Sequence, residues 1–288
     1  MTLTLLHASD LQIGKPYRSH VADALVRTVD EEAPDIVVIA GDLTQRAKAS
    51  EYRVARALLS RLGDRPVVVT PGNHDVPLYR VWERLVAPYR NWKRYIAAEL
   101  DSVLDAPGAK VVALNSSAPR RAIVAGRLDA SQIAFARTAF AEARPEQLRI
   151  LVVHHHFVET DDGSGGRPLP GAKAHLSAFA GMGVDLLLGG HVHHTRILGG
   201  DDVRTGVSFP LVSCGTTTSH RGRGSEAGLN TFNLIRISPE DIRVTPHRFV
   251  PERERFEPAN PTVVTRGRRA GVMGEGSDDS VEGSRGGG

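Results

Sequence analysis

Residues 35–43 read DIVVIAGDL. Ile36–Ile39 is a β-branched run, apolar on both faces, as a strand buried inside a layered sheet must be. Gly41 and Asp42 follow it. A polar residue at the carboxyl end of a buried strand is where open α/β sheets build their ligand sites. Similar apolar runs recur at Leu3–Leu6, Val67–Val69, Val111–Leu114, Ile150–Val153 and Leu186–Leu188. Between them, residues 20–33, 48–62, 78–100 and 130–143 read as helical, the third stretch as two helices broken at Pro88. The last opens with Asp129 and Gln132 at capping-box spacing. Strand and helix alternate, which predicts an α/β core. After about residue 200, segments 203–213, 229–237 and 242–250 read as strands joined by turns, predicting an antiparallel continuation of a sheet. Residues 160–171 (TDDGSGGRPLPG) form a Gly/Pro loop long enough to be functional.

Composition excludes several classes. The chain has 288 residues, and its single cysteine, Cys214, rules out an intrachain disulfide and a cysteine-rich zinc module. A formal charge of +3 argues against a protein whose main task is gripping a nucleic-acid backbone. No apolar run approaches the roughly 18–20 residues of a membrane span. The N-terminus lacks a basic region and reaches Asp10 too early for a signal peptide, so a cytoplasmic chain with no membrane partner is expected. Residues 252–288 hold repeated glycines, mixed charges and few large apolar residues. They read as a disordered tail behind a folded unit of residues 1–251.

Five polar clusters follow predicted strands: Asp10 and Gln12 in SDLQ, Asp42 in GDL, Asn73, His74 and Asp75 in GNHD, His154–His156, and His191, His193 and His194 in GGHVHH. Each alone has a plainer reading. An aspartate after a strand caps helices and forms turns, and GNHD suits a simple turn. Three consecutive histidines cannot all face one way on an extended chain. His191 and His193, two residues apart, share a side if extended. Taken in order, the clusters bring two carboxylates, two amides and several imidazoles to one sheet edge. These are ligands for borderline or moderately hard divalent metals such as manganese, iron or zinc.

The ordered set D-x-Q, GD, GNHD, H and GHVH resembles the signature of the calcineurin-like metallophosphoesterase superfamily, over Leu3 to about Val250. The resemblance implies a four-layer α/β/β/α sandwich of two mixed sheets, the second built largely in the helix-free stretch after residue 200. It also implies a dinuclear metal site at the strand ends. One metal would take Asp10, Gln12, Asp42 and His193; the other would take Asp42, Asn73, His154 and His191, with Asp42 bridging. His155 is the alternative to His154. Gln12 departs from the pattern, which has histidine there. An amide oxygen is a harder, weaker ligand than imidazole, so manganese is favoured over zinc.

The resemblance also makes His74 the proton donor to the leaving group, with Asp75 expected to orient it. Arg46, His155, His194, Thr217, Arg221 and Arg223 are expected to line the substrate pocket, Thr217 and the two later arginines from CGTTTSHRGRG (214–224). GLNTFN (228–233) loosely resembles bacterial members grouped with cyclic-nucleotide phosphodiesterases, and the expected substrate is a small phosphodiester of that kind. HASDLQIGKPY (7–17) resembles the repair-nuclease branch, which keeps a DNA-processing nuclease as an alternative. A non-catalytic scaffold is another. Trp82 and Trp92 read as packing residues.

Overall fold

The computed structural model describes residues 2–161, 163 and 165–266. Its elements run β1 (Leu3–Ala8), α1 (Ser19–Glu32), β2 (Ile36–Ile39), α2 (Ala49–Ser60), β3 (Val67–Val69), α3 (Val81–Val86), α4 (Arg90–Tyr95), β4 (Ser102–Ala106), β5 (Ala109–Leu114), α5 (Ala130–Ala141), β6 (Leu148–Val153), α6 (Ala172–Gly181), β7 (Leu186–Gly189), β8 (Arg196–Leu198), β9 (Leu211–Ser213), β10 (Thr231–Ile237), β11 (Asp241–Val250), β12 (Arg255–Pro258) and β13 (Thr262–Thr265). They form two sheets. One has the order β12-β11-β10-β1-β2-β3, with β13 on β11; the other is β4-β5-β6-β7-β9-β8. Both are mixed: β1, β2 and β3 are parallel with β10 antiparallel to β1, while β5, β6, β7 and β9 are parallel with antiparallel β4 and β8 at the edges.

Alternation along the strands makes three cores, and three cores mean four layers. On β1, Leu3 and Leu5 face the second sheet, where they meet Val111, Ile150 and Leu186; Leu6 and Ala8 face α1 and α2 with Val21, Leu25 and Tyr52. The outer face of the second sheet packs Leu114, Leu151 and Val153 against Phe140 of α5 and Phe179 of α6. The expected α/β/β/α sandwich is therefore present.

Four expectations need correcting. The second sheet is finished by β9; β10 to β13 return to the first sheet, because β10 pairs antiparallel with β1 from Leu3↔Ile237 to His7↔Asn233. Within 203–213 only Leu211–Ser213 is a strand. The folded unit also runs past residue 251. Phe256 of β12 is buried against Phe232 and Phe249, and Val264 of β13 is buried too, so two apolar residues suffice to dock a stretch of tail-like composition. Residues 267–288 of the expected tail lie outside the described residues. Trp92 is buried as expected, but Trp82 is 80% exposed on α3, a helix with no buried residue. Among the described residues no helix is long and apolar enough to cross a membrane.

Candidate metal centre

The loops after β1, β2, β3, β6 and β7 meet at one end of the sandwich. Their backbones are unusual. Asp10, Gln12, Asp42, His191 and His193 all have φ between 48° and 70°, and they are five of the eight described non-glycine residues at positive φ. Left-handed backbone is unfavourable for such residues, and it concentrates where surrounding structure over-determines a functional geometry. The motif glycines make room. A Cβ on Gly41, itself at φ 89°, would strike the His154 ring, and one on Gly72 would strike the Asp42 carboxylate.

The first group of residues is Asp10, Gln12, Asp42 and His193. Asp10, Asp42 and His193 can each offer one ligand atom such that all lie within 4.8 Å of one another. The His193 Nε2 lies 3.4 Å from Asp10 Oδ1, while its Nδ1 lies 3.0 Å from the Arg221 carbonyl oxygen. Donation to that carbonyl fixes the tautomer and leaves the Nε2 lone pair facing the carboxylates. The Gln12 Nε2 sits 3.4 Å from Asp42 Oδ2 and 3.3 Å from His193 Nε2.

Asp42, Asn73, His154 and His191 form the second group. His154 Nε2 is 3.3 Å from Asn73 Oδ1 and 3.5 Å from Asp42 Oδ1. His191 Nδ1 is 2.9 Å from the same Asn73 oxygen, and the His191 amide donates to Asp10 Oδ2 at 3.0 Å. Asp42 thus faces both groups.

Two orphan atoms test whether cations fit. Asp10 Oδ1 and Gln12 Oε1 are buried without a hydrogen-bond partner. A buried, unpaired carboxylate oxygen is costly in a low-dielectric interior, and a cation removes that cost. A half-turn of the Gln12 amide puts Oε1 where Nε2 stands, presenting oxygen to the same space. The donor set of carboxylates, amide oxygens and imidazoles suits divalent cations.

Electrostatics agree. Burial pushes the Asp42 carboxyl up, but the neighbouring His154, His74 and His193 imidazoles outweigh it and hold it down at about 2. Burial lowers His154, yet Asp42 and Asp10 more than offset this and raise it. Burial, reinforced by its imidazole neighbours, holds His191 well below the usual histidine range.

His74 lies beside these groups. Its amide donates to Asp42 Oδ1 at 2.8 Å, and its Nδ1 is 3.1 Å from the Gln45 carbonyl oxygen. The Arg221 Nη1 is 3.4 Å from His74 Nε2 and 3.3 Å from Gln45 Oε1. Arg221 thus lies beside His74. The Arg223 amide donates to the His193 carbonyl, and the charge of its guanidinium bears on the His193 ring.

Other expected residues do different work. Asp75 does not orient His74: its carboxylate accepts from the amides of Leu43, Thr44 and Gly72 and from the Thr44 hydroxyl, so both oxygens are committed to the Asp42 loop. Thr217 is fully buried and its Oγ1 accepts from the Ser9 amide. His155 is buried too, with Nδ1 2.7 Å from Ser116 Oγ. His194 is half-buried and its Nδ1 turns to the Val192 carbonyl of its own loop. The Arg46 guanidinium lies over the Tyr79 ring, 4.2 Å from its centroid. Sequence reading missed Gln45, Ser9 and the Ala40 carbonyl. Ser9 Oγ lies 2.7 Å from Asp10 Oδ2, but nothing in a lone serine or glutamine marks it in sequence.

Comparison with known proteins places this fold. A cAMP/cGMP dual specificity phosphodiesterase of Mycobacterium tuberculosis is 26% identical over 217 residues, 73% of this chain and 64% of its own length. The chain thus spans less than two thirds of that relative. A probable cyclic nucleotide phosphodiesterase of Synechococcus is 27% identical, covering 69% of this chain and 76% of its own. Two solved structures share the fold at 12% identity and 92% coverage of this chain. They are purple acid phosphatase PPD1 from yellow lupin (TM-score 0.69, 54% of that chain) and a dimetal phosphatase from Danio rerio (TM-score 0.62, 99% of that chain). The family model for the calcineurin-like phosphoesterases matches residues 3–195, spanning all five of the polar loops described above, and the chain belongs to that family.

Proposed function

We propose that the chain hydrolyses small phosphodiesters of the cyclic-nucleotide or related class. The observation that carries this reading is the buried approach of Asp10, Asp42 and His193, in which Asp10 Oδ1 has no hydrogen-bond partner. Asp10, Gln12, Asp42 and His193 would hold one divalent cation, and Asp42, Asn73, His154 and His191 a second. When bound, such a pair supplies Lewis-acid polarisation of the phosphoryl oxygens and lowers the pKa of water between them. Gln12, in place of imidazole, favours manganese over zinc.

The remaining chemistry belongs to the side chains. His74, held through Nδ1 by the Gln45 carbonyl, turns Nε2 outward and would deliver a proton to the departing alkoxide. Arg221, next to that nitrogen, would pair with the charge on the phosphoryl oxygens. Both relatives carry phosphodiesterase in their names, which supports the substrate class. The test is a manganese-reconstituted panel of cyclic nucleotides, bis-aryl and mono-aryl phosphates, glycerophosphodiesters and DNA. Metal-dependent turnover of the small diesters is the expected result. Hydrolysis of DNA alone, or no hydrolysis with manganese, iron or zinc, overturns the reading.

A further inference from the structure

A groove of about 780 Å³ lies between α4 and the loop that joins β5 to α5. Five cations line it: Arg90, Lys93, Arg120, Arg121 and Arg127. The chain as a whole is nearly balanced, with 36 basic and 33 acidic residues, so this excess is local. Only two carboxylates line the groove, and both are committed. Asp101 Oδ1 accepts from the Asn115 amide and from Gln132 Nε2, and Asp129 caps α5 through the amides of Ser131 and Gln132. Arg90 pairs with Glu83 and Arg120 donates to the Leu85 carbonyl. Lys93, Arg121 and Arg127 make no ion pair among the described residues, and Arg127 reaches Asp129 only through its field.

The groove's lining is bonded to the loop that carries Asn73, although none of the proposed metal-ligand residues lines the groove itself. Ser117 Oγ donates to the Pro71 carbonyl, two residues before Asn73, and Tyr89 Oη donates to the Ser117 carbonyl on the groove side. Ser116, next in line, bonds His155 beside His154. Unpaired cations clustered in one groove repel one another until an anion joins them.

We infer that this groove binds a second phosphate group of the substrate, through Lys93, Arg121 and Arg127, while the scissile ester lies at the metal centre. The inference rests on the phosphodiesterase reading and names the substrate class further: a diester carrying an additional phosphate, as in a short linear or cyclic dinucleotide.

The test uses 4-nitrophenyl esters of thymidylate and of dithymidylate and longer thymidylates, all releasing the same chromophore from the full-length, manganese-loaded protein. The expected kcat/KM rises about tenfold with the first added phosphate and then levels off. In the triple variant Lys93→Ser, Arg121→Ser, Arg127→Ser that ratio between the substrates collapses towards one. The charge-retaining Arg121→Lys, Arg127→Lys protein keeps it, and raised salt weakens it in the wild type. Thermal melting confirms that each variant is folded. Equal kcat/KM with and without the added phosphate overturns the inference while leaving the diesterase reading standing. A gain that keeps growing through long oligonucleotides overturns it in favour of a nucleic-acid track. Absence of turnover on every ester refutes the phosphodiesterase reading, and this inference falls with it.

Discussion

His154 Nδ1 lies 2.7 Å from the carbonyl oxygen of Ala40, the residue that ends the β2 run before Gly41 and Asp42. The bond ties the loop after β6 in the second sheet to the loop after β2 in the first. A carbonyl oxygen can only accept, so Nδ1 carries a proton and Nε2 is the nitrogen that faces Asp42 and Asn73. His193 repeats the device with the Arg221 carbonyl. Both rings are thus oriented by backbone oxygens, which no side-chain substitution removes.

The first prediction concerns Gln12. Replacing it with histidine restores an imidazole among Asp10, Asp42 and His193. The expected result is tighter retention of one metal equivalent, by roughly 10–100-fold, and a shift from manganese towards zinc. Elemental analysis after gel filtration reads both. Identical occupancy and preference in the two proteins would show that Gln12 is not a ligand.

His74→Ala is expected to keep its metal content while losing about 10²–10⁴-fold in turnover on esters with poor leaving groups. Activated nitrophenyl esters need little proton transfer and are expected to lose much less. Equal losses on both substrate types contradict a proton-donating role.

For Asp75 the expected defect is stability. Asp75→Ala strands the amides of Leu43, Thr44 and Gly72, and each buried unpaired donor costs about 1–3 kcal/mol. A large fall in melting temperature and a loosened Asp42 loop with weaker metal retention are expected. A well-folded, metal-replete and inactive protein would instead restore the orienting role toward His74.

His7 makes a pH prediction away from the ligands. It lies on the β1 face that points between the sheets, and burial, only partly offset by the Gly189 carbonyl, pushes its imidazole from the usual 6.5 down to about 3. Between those values the unfolded chain binds the extra proton. Stability therefore rises with pH through this window and is lost on acidification below about 6.5. The slope has an upper bound of about 1.4 kcal/mol per pH unit from this one group. Urea unfolding of wild type and His7→Leu between pH 4 and 8 measures it. The variant's pH dependence is expected to be shallower by up to one proton; parallel curves refute the assignment.

Much of this was legible along the chain. Buried parallel strands advertise themselves as β-branched runs, and polar residues at their carboxyl ends are local signals, so six strands and the polar clusters behind five of them could be read before any contact was known. The edge strands β12 and β13 were not legible. β12 and β13 join the sheet through Phe256 and Val264, within a composition that otherwise reads as tail, because an edge strand needs only one buried residue per turn of pleat.

The sequence by itself determined the layered α/β class, the order of the polar loops and the presence of glutamine at position 12, because these depend on local periodicity and residue type. Only the tertiary structure decided that Asp75 and Thr217 serve the backbone, that Gln45 holds His74, and which imidazole nitrogen faces the carboxylates. Those assignments are hydrogen bonds between residues about 30 to more than 200 positions apart, and the direction of a side chain there follows from which donors and acceptors packing brings within 3 Å, which no spacing along the chain encodes.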